Sequence, residues 1–362
     1  MHRFIAGTAT MTLTITPQGP WMVRGQTEDE PFTDNRGQPN RRELLAPLLD
    51  RDDMPYIPGS SLKGVLRSTA ERILRSMHPN RDPAWVPLAD NPFVHAEQRL
   101  PELRSQIADS ELREWLQQRP QEWFKDHPRY AQLMKMNTQR SDVASTAPRH
   151  LYPLLSPASQ LFGCTLHAGL LMLDDAHTAS VARQRRSHVA VDRFSGGVGA
   201  GPFIEDLAAA GVPLVTELRV VNFALWQLAL LGLTIQELNR GYQGIGGGTR
   251  KGQGRVRISA ERLEITYATL AYQAGETGVV SAQARLAGSA WQGLVEDVPP
   301  LVQVLEQEQR LLPELEPQTT DWRAAGAQRL LVQEGDVRRL FREATEKVWQ
   351  PWVRAMRQED QS

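Results

Sequence analysis

Acids crowd the first sixth of the chain: Glu28, Asp29, Glu30, Asp34, Glu43, Asp50, Asp52 and Asp53. A carboxylate held on a loop can take the proton of a substrate hydroxyl as a general base. Taken singly, each is better explained as a solvated surface charge. A second kind of chemistry, anion binding, is suggested by Pro58-Gly59-Ser60-Ser61-Leu62-Lys63-Gly64. Gly59, Ser60 and Ser61 would expose N–H groups at a helix N-terminus, where the helix dipole favours negative charge. Lys63 and Arg67, four residues apart, fall on one helix face within reach of a phosphate chain. A plain helix cap explains the same residues about as well.

A second anion site is suggested by Gly244–Gly254, where six of eleven residues are glycine and Arg250 and Lys251 add charge. Gly246, Gly247, Gly248 and Gly252 permit close backbone approach and positive φ, and successive N–H groups, with Thr249 among them, can form an anion nest. The run lies between an apolar helix and a strand, the reverse of a dinucleotide loop, which leads from strand to helix. No P-loop spacing occurs in either segment. A third basic stretch carries Arg183, Arg185, Arg186, His188, Asp192, Arg193, Phe194 and Phe203 around four glycines. Arginines beside exposed aromatics suit a ligand with both phosphates and flat rings. The eight histidines show no metal-ligand spacing, and no Ser/His/Asp order stands out.

Composition limits the partners. Net charge is −1 over 362 residues, so binding of a polyanion must rest on local charge, not bulk charge. Residues 240–257 hold five basic side chains and no acid. Cys164 is the only cysteine, which excludes a disulfide framework or a cysteine zinc site and fits a cytoplasmic protein. No apolar run reaches membrane-spanning length, so no membrane partner is expected.

These residues need elements to hold them. Thr8–Thr16 alternates threonine with Ala9, Met11, Leu13 and Ile15, the pattern of a half-buried strand. Gln26–Arg41 reads as a long loop, and Arg41–Leu49 as a short helix enclosing Glu43. Leu62–Met77 has helical apolar spacing, with Ser60 or Ser61 as its N-cap. His78–Gln160 holds ten prolines and reads as an insertion with short helices such as Glu111–Gln118. Leu161–Asp174 returns to strand-like alternation, Pro213–Phe223 is a strand, Ala224–Asn239 an apolar helix, and Arg255–Ile258 begins a final strand. Val337–Met356 reads as an amphipathic helix. Helices segregated from an antiparallel sheet make the class α+β, and a split β-α-β unit of the ferredoxin-like kind fits the core.

In this order the segments resemble the RAMP (repeat-associated mysterious protein) superfamily, and more narrowly the backbone subunits of type III CRISPR effector complexes. Tyr56–Arg67 is similar to the family signature. Thr14–Gly25 resembles its first strand and turn, Leu161-Phe162-Gly163 with Gly169–Ala176 its Phe-Gly and strand-Asp-Ala element, Val189–Phe194 the entry to its thumb hairpin, and Gly244–Gly254 its glycine loop. The resemblance implies a core like the RNA-recognition motif over residues 1–77 and 161–262. A thumb would span about 183–206, an insertion 78–160 and a C-terminal extension 263–362. It implies a guide RNA (crRNA) resting on Gly59, Ser60, Ser61, Lys63, Arg67 and the glycine loop, with a thumb around Asp192–Phe203 displacing one nucleotide at intervals. In active members a loop aspartate supports cleavage of the paired target RNA by 2′-hydroxyl attack, with a divalent ion (Mg or Mn). Here that acid is Asp34, with Glu43 and Asp50 as alternatives. Complementary target RNA and other subunits of a multi-subunit complex are the implied partners, and the insertion points to type III-D.

Three alternatives compete with a target-cutting backbone subunit. One is a non-catalytic scaffold of the same complex. Another is a guide-processing endoribonuclease, though such enzymes usually lack the Pro-Gly-Ser-Ser-Leu-Lys-Gly turn. The last, a nucleotide-dependent metabolic enzyme, lacks a phosphate loop in the right context.

Overall fold

The computed structural model describes residues 5–33, 39–77, 89, 152, 155–164, 167–268, 272, 275–287, 300–319 and 327–359. Strand β1 (Gly7–Pro17) buries every second residue and leaves its five threonines half-exposed. It lies at the centre of the main sheet because both neighbours bring the same alternation: β9 (Leu214–Val221) on one side and β10 (Val256–Tyr267) on the other, both antiparallel. With β6 (Leu171–Leu173) outside β9, the order β10-β1-β9-β6 arises. In chain order the core runs β1, α1 (Gly59–Ser76), β6, β9, α3 (Leu225–Asn239), β10. This is the split β-α-β arrangement of a ferredoxin-like core, and the class is α+β.

Met11, Leu13, Leu218, Val220, Leu263 and Ile265 form the buried sheet face, covered by Leu62, Leu66, Ala70 and Leu74 of α1 and by α3. Helix α3 is apolar all round because it is enclosed: it touches α1, β10 and the C-terminal helix α6 (Glu334–Ala344). A π-helical stretch, Thr345–Trp349, joins α6 to α7 (Gln350–Glu359). There Trp352 stacks between Trp349 and Trp226 of α3, with ring centroids at 5.1 and 5.2 Å. From the same C-terminal stretch, β12 (Gln328–Gln333) pairs with β10, and the two-residue β11 (Gln318–Thr319) lies beyond it, so β10 does not begin the last strand of the chain. Glu306, buried in α5 (Pro300–Glu306), which packs on α4 (Ala282–Ala287), accepts the N–H groups of Leu225 and Trp226 at 2.8 and 2.9 Å. Burial pushes its carboxyl up to about 7, against the pull of those hydrogen bonds.

Residues 24–47 differ from the sequence reading. They form a hairpin, β2 (Arg24–Thr33) and β3 (Pro39–Pro47), where a loop and a short helix were expected. Strand β3 then pairs in parallel with β8 (Val198–Ala208), which pairs with β7 (Arg183–Val191), giving a second sheet β2-β3-β8-β7. Glu43 is therefore on a strand, opposite Asp29. A partner strand distant in sequence overrode local propensity. Leu161–Asp174 also departs from one alternating strand. It divides into the end of α2 (Pro157–Phe162), the short pair β4 (Gly163–Cys164) and β5 (His167–Ala168), and β6. Glu111–Gln118 lies outside the described residues. No helix among the described residues is long and apolar enough to cross a membrane.

Candidate nucleic-acid interface

Of the three sites foreseen on the sequence, the helix turn and the glycine loop meet at α1 and the hairpin meets the glycine loop, but they differ in what they leave open. The Gly59-Ser60-Ser61 segment is the first turn of α1 itself, so the helix starts three residues earlier than its apolar stripe indicated. Neither serine is the N-cap: Pro58 is, without a side-chain bond. The Gly59 N–H donates to Asp175 Oδ1 at 2.7 Å, so a carboxylate of the strand-Asp-Ala element already occupies one place at this helix end. Gly59 is required because a Cβ there would lie 2.2 Å from Leu173 O. The N–H groups of Ser60 and Ser61 precede the first intrahelical bond, Leu62 N–H to Pro58 O at 3.0 Å, and Ser60 is exposed.

Lys63 and Arg67 lie on one face, as their spacing required, yet both turn inward. Lys63 Nζ donates to Leu171 O at 2.8 Å, and burial, aided by the Arg67 charge, holds its ammonium below the ordinary lysine range. Arg67 donates to Gly163 O at 2.5 Å and to Glu71 Oε1 at 2.7 Å. These cations tie α1 to the neighbouring strands. Their placement differs from a phosphate-facing pair because strand-end carbonyls lie within reach of both.

The glycine loop explains its own composition. Its glycines serve contacts within the protein: a Cβ at Gly246 would fall 2.1 Å from Met22 O, at Gly248 2.0 Å from Gln253 Oε1, and at Gly254 2.0 Å from Ile245 O. Gly247 N–H donates to Met22 O at 2.9 Å, and Gly254 N–H to Pro20 O at 2.9 Å. Thr249–Lys251 form a single 3-10 turn between Gly248 and Gly252, both left-handed (φ 67° and 82°). Gly252 has open space where a side chain would be. Arg250 is exposed, and no carboxylate among the described residues pairs with it. Lys251 instead reaches Glu205 Oε1 at 2.9 Å. Upstream, Gln243 accepts from Thr69 and donates to Ser68 at 2.7 Å, which fastens the loop to α1.

The segment expected to be a thumb forms the hairpin β7–β8, with Asp192–Gly197 as its tip. Asp192, foreseen as an RNA contact, shapes the turn: Oδ1 accepts the N–H groups of Phe194 at 2.7 Å and Ser195 at 2.9 Å. Those two donors, Ser195 first, hold its carboxyl below the usual range. Phe194 is thereby thrust into solvent with a relative exposure of 103%, beside exposed Arg193, Val191 and Val198. Cross-strand partners share a sheet face, so Arg186 lies beside Glu205 and His188 beside half-exposed Phe203. Lys251 reaches this face from the glycine loop.

The candidate general bases fare unequally. Asp34 lies outside the described residues. For Glu43 the described feature is its place in β3. Asp50 closes its own turn, accepting the N–H groups of Asp52 at 2.9 Å and Met54 at 3.0 Å, and its other oxygen meets His177 Nδ1 at 3.1 Å. The Met54 N–H is foremost in holding its carboxyl below the usual range. Among the described residues no three carboxylate, imidazole or thiol groups converge as a metal site.

Sequence reasoning missed Asp175, Gln243, Glu205 and Gln253. Glu205 had one signal, the acid pair Glu205-Asp206 set between apolar Phe203-Ile204 and Leu207. No curated protein matches the chain. The family model of the RAMP superfamily matches residues 14–257, more than half of the chain. The chain belongs to the RAMP superfamily, which includes CRISPR-associated RNA-binding subunits.

Proposed function

We propose that this chain is a guide-RNA-binding backbone subunit of a type III CRISPR effector complex, of the type III-D kind that carries insertions. The carrying observation is Phe194, a wholly exposed aromatic ring on a hairpin tip that carries Arg193 and leads from exposed Arg186. An exposed apolar tip of this kind suits a surface that a partner covers. A ring beside cations suits a nucleotide strand: the ring stacks on or displaces a base, and the arginines follow the phosphates. In this reading Arg250 and the Ser60 and Ser61 N–H groups take further phosphates of the same strand.

A catalytic role rests on a second observation. Because β3 runs parallel to β8, its first residue, Pro39, lies toward the same end of the sheet as Val198 at the thumb tip. The chain between Thr33 and Pro39 carries Asp34. In this reading Asp34 takes the proton of a target-strand 2′-hydroxyl, the 2′-oxygen attacks the adjacent phosphate, and the 5′-oxygen leaves. A divalent ion would supply neutralising charge.

Fluorescence anisotropy of the full chain with single-stranded RNA tests the binding reading. Tight, salt-sensitive RNA binding is expected. Binding of a mononucleotide with none to RNA would overturn it, and specific cutting within repeat RNA by the isolated chain would favour guide processing. Asp34→Ala, Glu43→Ala and Asp50→Ala in the assembled complex test cleavage. Survival of every cut in all three leaves the scaffold role.

A further inference from the structure

We infer that Glu205 is a positioning residue that locks the thumb to the glycine loop, so that both grip one RNA strand as a unit. This inference rests on the RNA-binding reading above. Glu205 sits in an inner strand of the second sheet, opposite Arg186 of β7 and Leu45 of β3. It is only 5% exposed. Its Oε1 accepts from Lys251 Nζ at 2.9 Å and its Oε2 from Gln253 Nε2 at 2.7 Å. The His188 Nε2 atom lies 2.9 Å from Oε2, though outside hydrogen-bonding alignment. Two segments distant from each other in sequence, the glycine loop with two donors and β7 with His188, therefore meet at one carboxylate of β8.

The loop is shaped to deliver these donors. Gly248, at φ 67°, folds directly over the Gln253 amide, where any side chain would collide. That closure leaves Nε2 aimed at Glu205. Burial alone would push the Glu205 carboxyl up, but the Gln253 amide and the Lys251 ammonium outweigh it and hold it below the ordinary range. The carboxylate stays charged and its charge is spent internally. Lys251 is consumed in the same contact, which leaves Arg250 as the loop's outward cation.

The expected effect of removing Glu205 is opposite in sign to simple electrostatics. Removing an acid from a basic RNA surface should tighten binding. A positioning role requires Glu205→Gln to weaken it. The probe is a fluorescent oligouridine bound to the full chain, with Phe194→Ala and Arg250→Ala made singly and together. In the parent chain the double variant should lose at least threefold less affinity than the product of the single losses. In the Glu205→Gln background the two losses should multiply, and affinity should start about tenfold lower. Amide exchange across residues 183–208 should quicken about tenfold while β1 is unchanged, a readout that needs no RNA.

Should Glu205→Gln fail to fold, Lys251→Met cuts one arm of the lock from the exposed side, and the same shifts are expected at smaller size. Tighter binding with unchanged thumb exchange would overturn the inference and leave Glu205 a neighbouring charge. Independent thumb and loop losses in the parent chain would overturn it too. Absence of any RNA binding by the parent chain would sink the binding reading instead, and faster thumb exchange would still report the lock.

Discussion

Helix α1 and the thumb hairpin carry similar basic residues and use them in opposite ways. Lys63 and Arg67 are spent on Leu171 O, Gly163 O and Glu71. Arg186 and Arg193 stand exposed, with no carboxylate among the described residues pairing with them. The difference is surroundings. Beside α1, the carbonyls of Leu171 and Gly163, at the ends of short strands, lie within reach, and a buried polar group must find a partner. On the hairpin β7–β8 no carbonyl or carboxylate among the described residues accepts a hydrogen bond from Arg186 or Arg193. A basic residue is thus available to a ligand where folding brings no acceptor within its reach.

Three changes would break or sharpen that contrast. The largest effect is expected from Arg186→Ala, Arg193→Ala and Phe194→Ala combined. RNA affinity should fall on the order of 100-fold by anisotropy, from lost stacking and phosphate contacts. Thermal stability should hardly move, because all three side chains are exposed. Arg67→Ala should do the reverse. Glu71 would keep only Arg75, at 3.1 Å, and the Gly163 carbonyl would lose its donor. A loss of about 2 kcal/mol in denaturant unfolding is expected, with affinity changed less than threefold. Affinity loss without instability would show that α1 releases Arg67 to RNA. The smallest effect is expected from Gly248→Ala, about 1 kcal/mol from the left-handed backbone. The loop would also shift off Gln253, with a few-fold loss of RNA affinity.

Much of the fold was legible in the sequence because it was written in periodicity. The threonine alternation of β1 and the apolar spacing of α1 reappear in the structure with the same buried faces. The hairpin at residues 24–47 was not legible. Its residues are polar and acidic, without alternation, and they are strands because β8 lies beside them. The helix cap was misassigned for a related reason: serines before a helix look like caps, but Asp175 comes from far along the chain to meet Gly59.

By itself the sequence determined β1, α1, β9 and α3, the family motifs and where basic residues and glycines accumulate, because these depend on neighbours along the chain. Tertiary structure decided what those residues do. It turned Lys63 and Arg67 inward, assigned Asp192 and Asp50 to their own turns, and used Gly246, Gly248 and Gly254 to let the chain pack on itself. It also placed Glu205 between Lys251 and Gln253. The physical reason is common to all of them. A charged or polar group is satisfied by whichever partner folding brings within about 3 Å; for Asp192 and Asp50 that partner lies in the same turn, and for Lys63, Arg67 and Glu205 it lies far along the chain.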